Sequence, residues 1–375
     1  MSKLTKQSIP CILTVHLSLY LQFFPTFPLF PARTVSLPLY DSADTFRLLT
    51  ESEFMNYIVL DLEWNQCPYG KKREDPMLPF EIIEIGAVKM DEDLHPAGSF
   101  HEIIQPVLYK RLHHMTRSVI HMTERDFDGK RTFPEVFRDF LAWCGPDPVF
   151  CTWGPGDLTE LQRNVRWHID RGSMKEEWPF PHPFFFRDIQ KIFAYVYEER
   201  SVRRSLEWAV EFLKIDKEEQ FHYAYSDAFY TAEILSEIPA GQVEKHFSVD
   251  TYLTPSNRKE EIFIQYEDYT KFISKGFRDR NDVMKDRVVS QTRCIICGKR
   301  AKKKIRWFSD GGRNYLCAAQ CEEHGFLKGK ARIRINRDGL WYAIRTIRMI
   351  SEEEYESVRR RQEALRSRRK QKRLQ

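Results

Sequence analysis

Four things are missing from this 375-residue chain, and each absence removes a class of answer. There is no internal repeat, which removes solenoids and propellers. There is no glycine-rich phosphate loop, which removes P-loop nucleotide chemistry. No apolar run is long enough to span a bilayer: residues 11–24 include His16 and Gln22 and fall short of the roughly 20 residues a membrane helix needs. A strong net charge is also missing. At +5 the chain is only mildly basic, and charge alone does not imply nucleic acid.

What is present is globular: 42% hydrophobic and 30% charged residues can build a real core. Positive charge is concentrated late. Arg359, Arg360 and Arg361, then Arg366 through Arg373, dominate the end, and basic residues crowd the stretch from Lys299 to Arg306. That footprint suits phosphate backbones, although a solvated tail has the same composition. Of eight cysteines, Cys11, Cys67, Cys144 and Cys151 are scattered, whereas Cys294, Cys297, Cys317 and Cys321 are clustered. This is the spacing of a metal site in a reducing compartment, pointing to the cytoplasm, rather than a disulfide framework.

Residues 1–54 differ from the rest. Pro10, Pro25, Pro28, Pro31 and Pro38 interrupt an apolar, aromatic stretch. Lys3 and Lys6 precede an apolar run as in a signal peptide, but no small-x-small cleavage site follows. The segment reads as a non-globular extension, with the natural start expected at Met55, just before the first strand.

Tyr57-Ile58-Val59-Leu60 is a continuous apolar run, as in a strand buried on both faces, and it leads into Asp61-Leu62-Glu63-Trp64. Side chains at i and i+2 share one side of a strand, so Asp61 and Glu63 project together while Leu62 faces away. Two carboxylates side by side in a core are costly unless a cation neutralises them. Residues 81–88 and 99–105 read as the next strands of an antiparallel meander. Helical periodicity follows from Pro134 to Trp143. A strand at 149–152 ends in Trp153-Gly154-Pro155-Gly156, which starts a helix with Asp157 in its first turn. Phe184–Ile189 reads as a strand, and Ile189–Tyr197 and Val202–Leu213 read as helices. Last, Phe221-His222 precedes a helix that carries Asp227 and runs through Leu235. Each signal alone has a plain explanation: Asp at a helix N-terminus is a routine cap, and a lone His is usually surface or core.

Taken in order, D-x-E on a first strand, Asp after a Trp-Gly turn and H-x-x-x-x-D before a last helix form one pattern. From Asn56 to Ile238 the sequence resembles the DEDDh family of 3′–5′ exonucleases, within the ribonuclease H-like fold. The nearest likeness is to the subgroup of histone-mRNA exonuclease and sporulation-inhibitor-like bacterial exonucleases, with their W-G-x-x-D middle motif. The resemblance implies an α/β mixed sheet flanked by helices and two Mg²⁺ or Mn²⁺ ions on Asp61, Glu63, Asp157 and Asp227. It implies that Asp61 bridges both ions, that Asp157 acts mainly through water, and that His222 is the general base. The 3′–5′ direction also comes from the resemblance. Leu62, Trp64 and Trp153 flank the motifs as candidate substrate contacts, and a tryptophan there could stack on a terminal base; core packing is the competing reading.

Cys294-Ile295-Ile296-Cys297-Gly298 has the form of a zinc knuckle. Its partner pair is Cys321 and His324, whose two-residue spacing lets both face one tetrahedral ion, with Cys317 as the alternative ligand. The site reads as structural. Residues 305–308, 331–335 and 341–344 alternate like strands of a small ribbon, with Arg332 and Arg334 along one face. The expected organisation is thus an exonuclease domain at 55–240 and a charged linker at 241–290, helical in pattern at 269–273. A zinc-ribbon-like module at 291–350 and a basic helical or disordered tail at 351–375 complete it. The activity expected is single-strand exonuclease action, on RNA before DNA. A proofreading-type DNA exonuclease and an inactive nucleic-acid binder are the alternatives.

Overall fold

The computed structural model describes residues 56–374 except His121, Glu176, Arg200, Ser201 and Glu218. The expected extension at 1–54 and the expected start at Met55 lie outside the described residues.

The apolar run ahead of Asp61 forms β1 (Asn56–Gln66), with Ile58, Val59 and Leu60 wholly excluded from solvent. β2 (Phe80–Met90) and β3 (Pro96–Ile103) follow as the antiparallel meander. On the other side of β1 lie β4 (Pro148–Thr152) and β5 (Phe185–Asp188), both parallel, and then the antiparallel β6 (Ser248–Val249). The order is β3-β2-β1-β4-β5-β6, a mixed six-stranded sheet.

Helices cover both faces because the strands are apolar on both. One face packs on α2 (Phe133–Cys144) and α3 (Gly156–Asp170) through Ile58, Leu60, Leu62, Phe137, Phe140 and Leu161. The other packs on α4 (Ile189–Tyr197), α5 (Leu206–Leu213) and α6 (Ala224–Glu237) through Val59, Phe193, Val210 and Ala228. Helix α5 begins later than its periodicity suggests. Ser205 caps it by accepting from the Trp208 backbone N–H (3.3 Å), which fixes the first turn at Leu206. The fold is α/β and ribonuclease H-like: a mixed sheet between helices.

Residues 241–290 are not a linker. They carry β6, β7 (Ile262–Gln265) and β8 (Tyr269–Ile273), besides short helices at Arg280–Lys285 and Arg287–Ser290. The stretch 269–273 is a strand: Thr270 and Phe272 are buried while Tyr269 and Lys271 are less so, a two-residue period hidden by its polar content. Strands β7 and β8 begin a second, fully antiparallel sheet. It continues through β12 (Trp341–Met349), β11 (Gly325–Ile335), β10 (Asn314–Cys321) and β9 (Lys302–Ser309). The expected small ribbon is therefore part of a six-stranded sheet. Val249, Ile262, Tyr266 and Tyr342 pack with Phe185 to join the two sheets in one apolar cluster.

The basic end is helical, α10 spanning Glu352–Leu374. Its beginning docks on the second sheet: Val358 packs on Ile305 and Ala318, and Tyr355 stacks on Phe326 at 4.3 Å. Among the described residues no helix is long and apolar enough to cross a membrane.

Candidate active site

Asp61 and Glu63 stand on the face of β1 covered by α6, while Leu62 points into the opposite core at 3% exposure. Helix α3 begins directly after the Gly154–Gly156 turn, which places Asp157 in its first turn; the backbone N–H groups of Leu62 and Asp157 hydrogen-bond the Asp157 carboxylate. Asp227 sits in the first turn of α6. His222 lies in the loop before it, exposed, with φ 68°, a left-handed conformation that a side chain other than glycine adopts at a cost. There the His222 backbone N–H donates to Asp227 Oδ1 (3.4 Å). Ligand-type atoms of Glu63, His222 and Asp227 all lie within 4.8 Å of one another.

The helix reaches this position because β2 has a glycine beneath it. A Cβ on Gly86 would lie 2.1 Å from the Ala224 carbonyl carbon, so only glycine lets the N-terminus of α6 press onto the sheet.

The electrostatics match a site built for cations. Burial, followed by the neighbouring Asp157, Asp227, Glu63 and Glu84, pushes the Asp61 carboxyl well above its usual range. Burial and nearby carboxylates push Glu63 up to about 8. Asp157 is raised to about 7 by burial, against its backbone hydrogen bonds. Asp227 is raised to about 6 by burial, partly offset by His222. Such a cluster is tolerable at neutral pH when protonated or when divalent cations supply the missing charge.

Two members were not singled out from the sequence. Glu84 is 0% exposed and pairs in register with Glu63 across β1 and β2; Gly86 likewise pairs with Asp61. One Glu84 oxygen meets His101 Nε2 at 2.7 Å, and the other has no hydrogen-bond partner. That contact, with Glu84 as the dominant influence, raises the His101 pKa. A carboxylate inside the apolar run Glu81–Val88 was the available signal. Asn65, also unflagged, fixes the adjacent loop: its amide donates to the Tyr109 and Arg111 carbonyls (both 2.8 Å), and its oxygen accepts from His113 N (2.9 Å).

Both tryptophans are half-buried and pack against core clusters. Trp64 lies 5.9 Å from Phe80. Trp153 packs against Phe193 (5.8 Å), and its indole N–H donates to the Arg204 carbonyl (3.2 Å), which is core packing.

In the second sheet Cys294, Cys297, Cys321 and His324 converge, their ligand atoms within 4.8 Å of one another. Cys297 and Cys321 sulfurs are 3.7 Å apart, and His324 Nδ1 is 3.6 Å from both Cys294 and Cys321 sulfurs. Zinc bond lengths around a tetrahedron give edges of about 3.8 Å for S···S and about 3.6 Å for S···N, so the four fit one Zn²⁺. Burial opposes ionisation of Cys321, but hydrogen bonds from His324 and the Glu323 and His324 backbone bring its thiol down to about 6. Cys317 does not join them. It is fully buried, on β10 opposite Gly329, and its thiol is pushed up to about 12 by that burial.

The exonuclease family model RNase_T matches residues 75–235. The match includes Glu84, Asp157, His222 and Asp227 and begins beyond Asp61 and Glu63. The matched stretch covers less than half of the chain. No curated protein matches the chain. Among solved structures it is similar to the nuclease domain of 3′hExo, a DEDDh family member, bound to rAMP: 20% identity over 53% of this chain and 98% of that one, TM-score 0.43. It is also similar to cell-death related nuclease 4 (CRN-4), at 19% identity over 49% of this chain and 63% of that one, TM-score 0.40. A third similarity is to E. coli ExoI in complex with ssDNA, at 14% identity over 48% of this chain and 40% of that one, TM-score 0.37.

Proposed function

We propose that this chain is a 3′–5′ exonuclease on single-stranded nucleic acid, RNA before DNA, using two Mg²⁺ or Mn²⁺ ions. The observation that carries the reading is the convergence of Asp61, Glu63, Asp157 and Asp227 beside an exposed His222, in a domain matched by the exonuclease family.

Bound divalent cations would supply charge relief at the phosphoryl group and activation of the attacking water. Asp61, Glu63, Asp157 and Asp227 would hold them, offering the hard oxygen donors these ions prefer. His222, on its loop rather than in the core, takes the water proton at an imidazole nitrogen as general base. The His222 N–H to Asp227 contact ties the position of that base to a metal ligand. Trp64, directly after Glu63, is the aromatic we assign to the terminal base, since the Trp153 indole N–H is engaged by the Arg204 carbonyl. The Cys294, Cys297, Cys321 and His324 set would hold one structural Zn²⁺ that closes the end of the second sheet.

The test is digestion of 5′-labelled single-stranded RNA and DNA of one sequence with Mg²⁺, Mn²⁺ or EDTA, beside Asp227→Asn. A metal-dependent ladder shortening from the 3′ end, absent in the variant, supports the reading, and the faster polymer names the substrate. No cleavage with retained binding would replace it by the inactive binder.

A further inference from the structure

Between β9 and the second half of α10 lies a groove of about 400 Å³. Its walls combine three aromatic rings, Trp307, Phe308 and Tyr315, with three guanidinium groups, Arg306, Arg366 and Arg369. The rings are half-buried and the three arginines exposed. Two contacts fix the frame: the Trp307 indole N–H donates to the Ser290 carbonyl (2.8 Å), and Arg369 donates to the Ser309 carbonyl (3.2 Å). No carboxylate lines the groove. Asp310, next along the chain from β9, is engaged by Arg361 (2.8 Å). The helix stays beside the strand because Val358 is buried against Ile305 and Ala318, with Gln362 and Leu365 one and two turns further along the same face.

Gln362 and Ser309 complete the lining. Aromatic faces beside cations are what a single strand needs: bases stack on the rings and phosphates pair with the guanidinium groups. We propose that this groove is a second nucleic-acid subsite, holding nucleotides of the single strand upstream of the end being hydrolysed. It rests on the exonuclease reading and adds to it where the remainder of the substrate goes.

The test uses the full chain. Fluorescence anisotropy with the Asp227→Asn protein reads binding of a 5′-labelled 20-nucleotide oligouridylate over a salt series, with poly-glutamate as competitor. Cleavage of a trinucleotide is measured in the otherwise active protein. Replacing Arg306, Arg366 and Arg369 together by Ala is expected to weaken the 20-mer at least tenfold. It should flatten the log K against log salt slope by about 2, at about 0.7 per lost single-strand phosphate contact, while leaving trinucleotide cleavage unchanged. Phe308→Leu keeps the apolar packing but removes the ring, and is expected to weaken the 20-mer with the slope intact. Unaltered 20-mer affinity in both variants overturns the proposal. So does an arginine effect mirrored by poly-glutamate competition without any Phe308 effect, which would mark a general anion surface. If wild-type protein cleaves neither substrate, the exonuclease reading fails, and the anisotropy still reports on the groove.

Discussion

Glu84 lies directly across the strand pair from Glu63, and its carboxylate is split between His101 on one oxygen and no partner on the other. A fifth carboxylate thus borders the four expected ligands, where its proximity adds to the upward shift of the Asp61, Glu63 and Asp227 carboxyls. Glu84→Gln keeps the shape and the His101 contact while removing the charge. Because groups behind metal ligands typically contribute 10–100-fold, Mg²⁺ affinity measured by calorimetry is expected to fall by about that factor. Wild-type affinity would show that Glu84 plays no part in cation binding.

The raised carboxyls give the metal-free protein an unusual pH dependence. Their folded-state values, about 8, 7 and 6 for Glu63, Asp157 and Asp227, lie above the ordinary value near 4. Between pH 4 and 8 the folded state therefore holds more protons than the unfolded state. Stability from this cluster is fully present below about pH 4 and lost as pH rises through the folded values. Melting temperatures in EDTA should fall from pH 5 to pH 8. Added Mg²⁺ should raise them more at pH 8 than at pH 5, and its binding at pH 7 should release protons. A Mg²⁺ effect independent of pH would contradict the assignment.

His222 is held at φ 68°, a backbone conformation that costs any residue other than glycine. His222→Gly is expected to leave the melting temperature unchanged or raise it slightly, since glycine adopts that backbone without strain. The same substitution should lower kcat by about 10²–10⁴-fold, the usual weight of a general base. Retained kcat would move the base elsewhere.

Gly86→Ala tests how the site is assembled. The added methyl meets the Ala224 backbone and must lift the start of α6, which carries Asp227. Overpacking of this kind costs about 1–3 kcal/mol. Denaturant unfolding should show that loss together with weakened Mg²⁺ binding, whereas a stable, active variant would mean that the helix is not seated by this contact.

The zinc assignment places His324 beside Cys294, Cys297 and Cys321 and leaves out Cys317, the alternative ligand that sequence spacing had left open. Cys317→Ala is expected to retain one equivalent of zinc by metal analysis, and Cys321→Ser to lose it and to unfold the second sheet at lower temperature. The reverse pattern would exchange their roles.

The sequence by itself determined the strands and helices with strong periodicity and pointed to the carboxylates that the fold brings together. Asp61 and Glu63 were readable because a strand puts i and i+2 on one side after an apolar run; Asp157 and Asp227 were readable because glycine and histidine punctuate the starts of their helices. The Cys294, Cys297, Cys321 and His324 set was readable from spacing. Strand pairing was not readable, and pairing decided the rest. Register across β1 and β2 brought Glu84 opposite Glu63 and Gly86 opposite Asp61, contacts between residues about 20 positions apart that no local pattern records. Pairing with β12 made a strand of 269–273, whose polar surface masks a two-residue period until one face is covered. The same long-range packing drew 241–290 out of its linker appearance. It also set α10 against β9, placing Arg366 and Arg369 beside Arg306 and three aromatic rings that lie about 50–60 residues earlier in the chain.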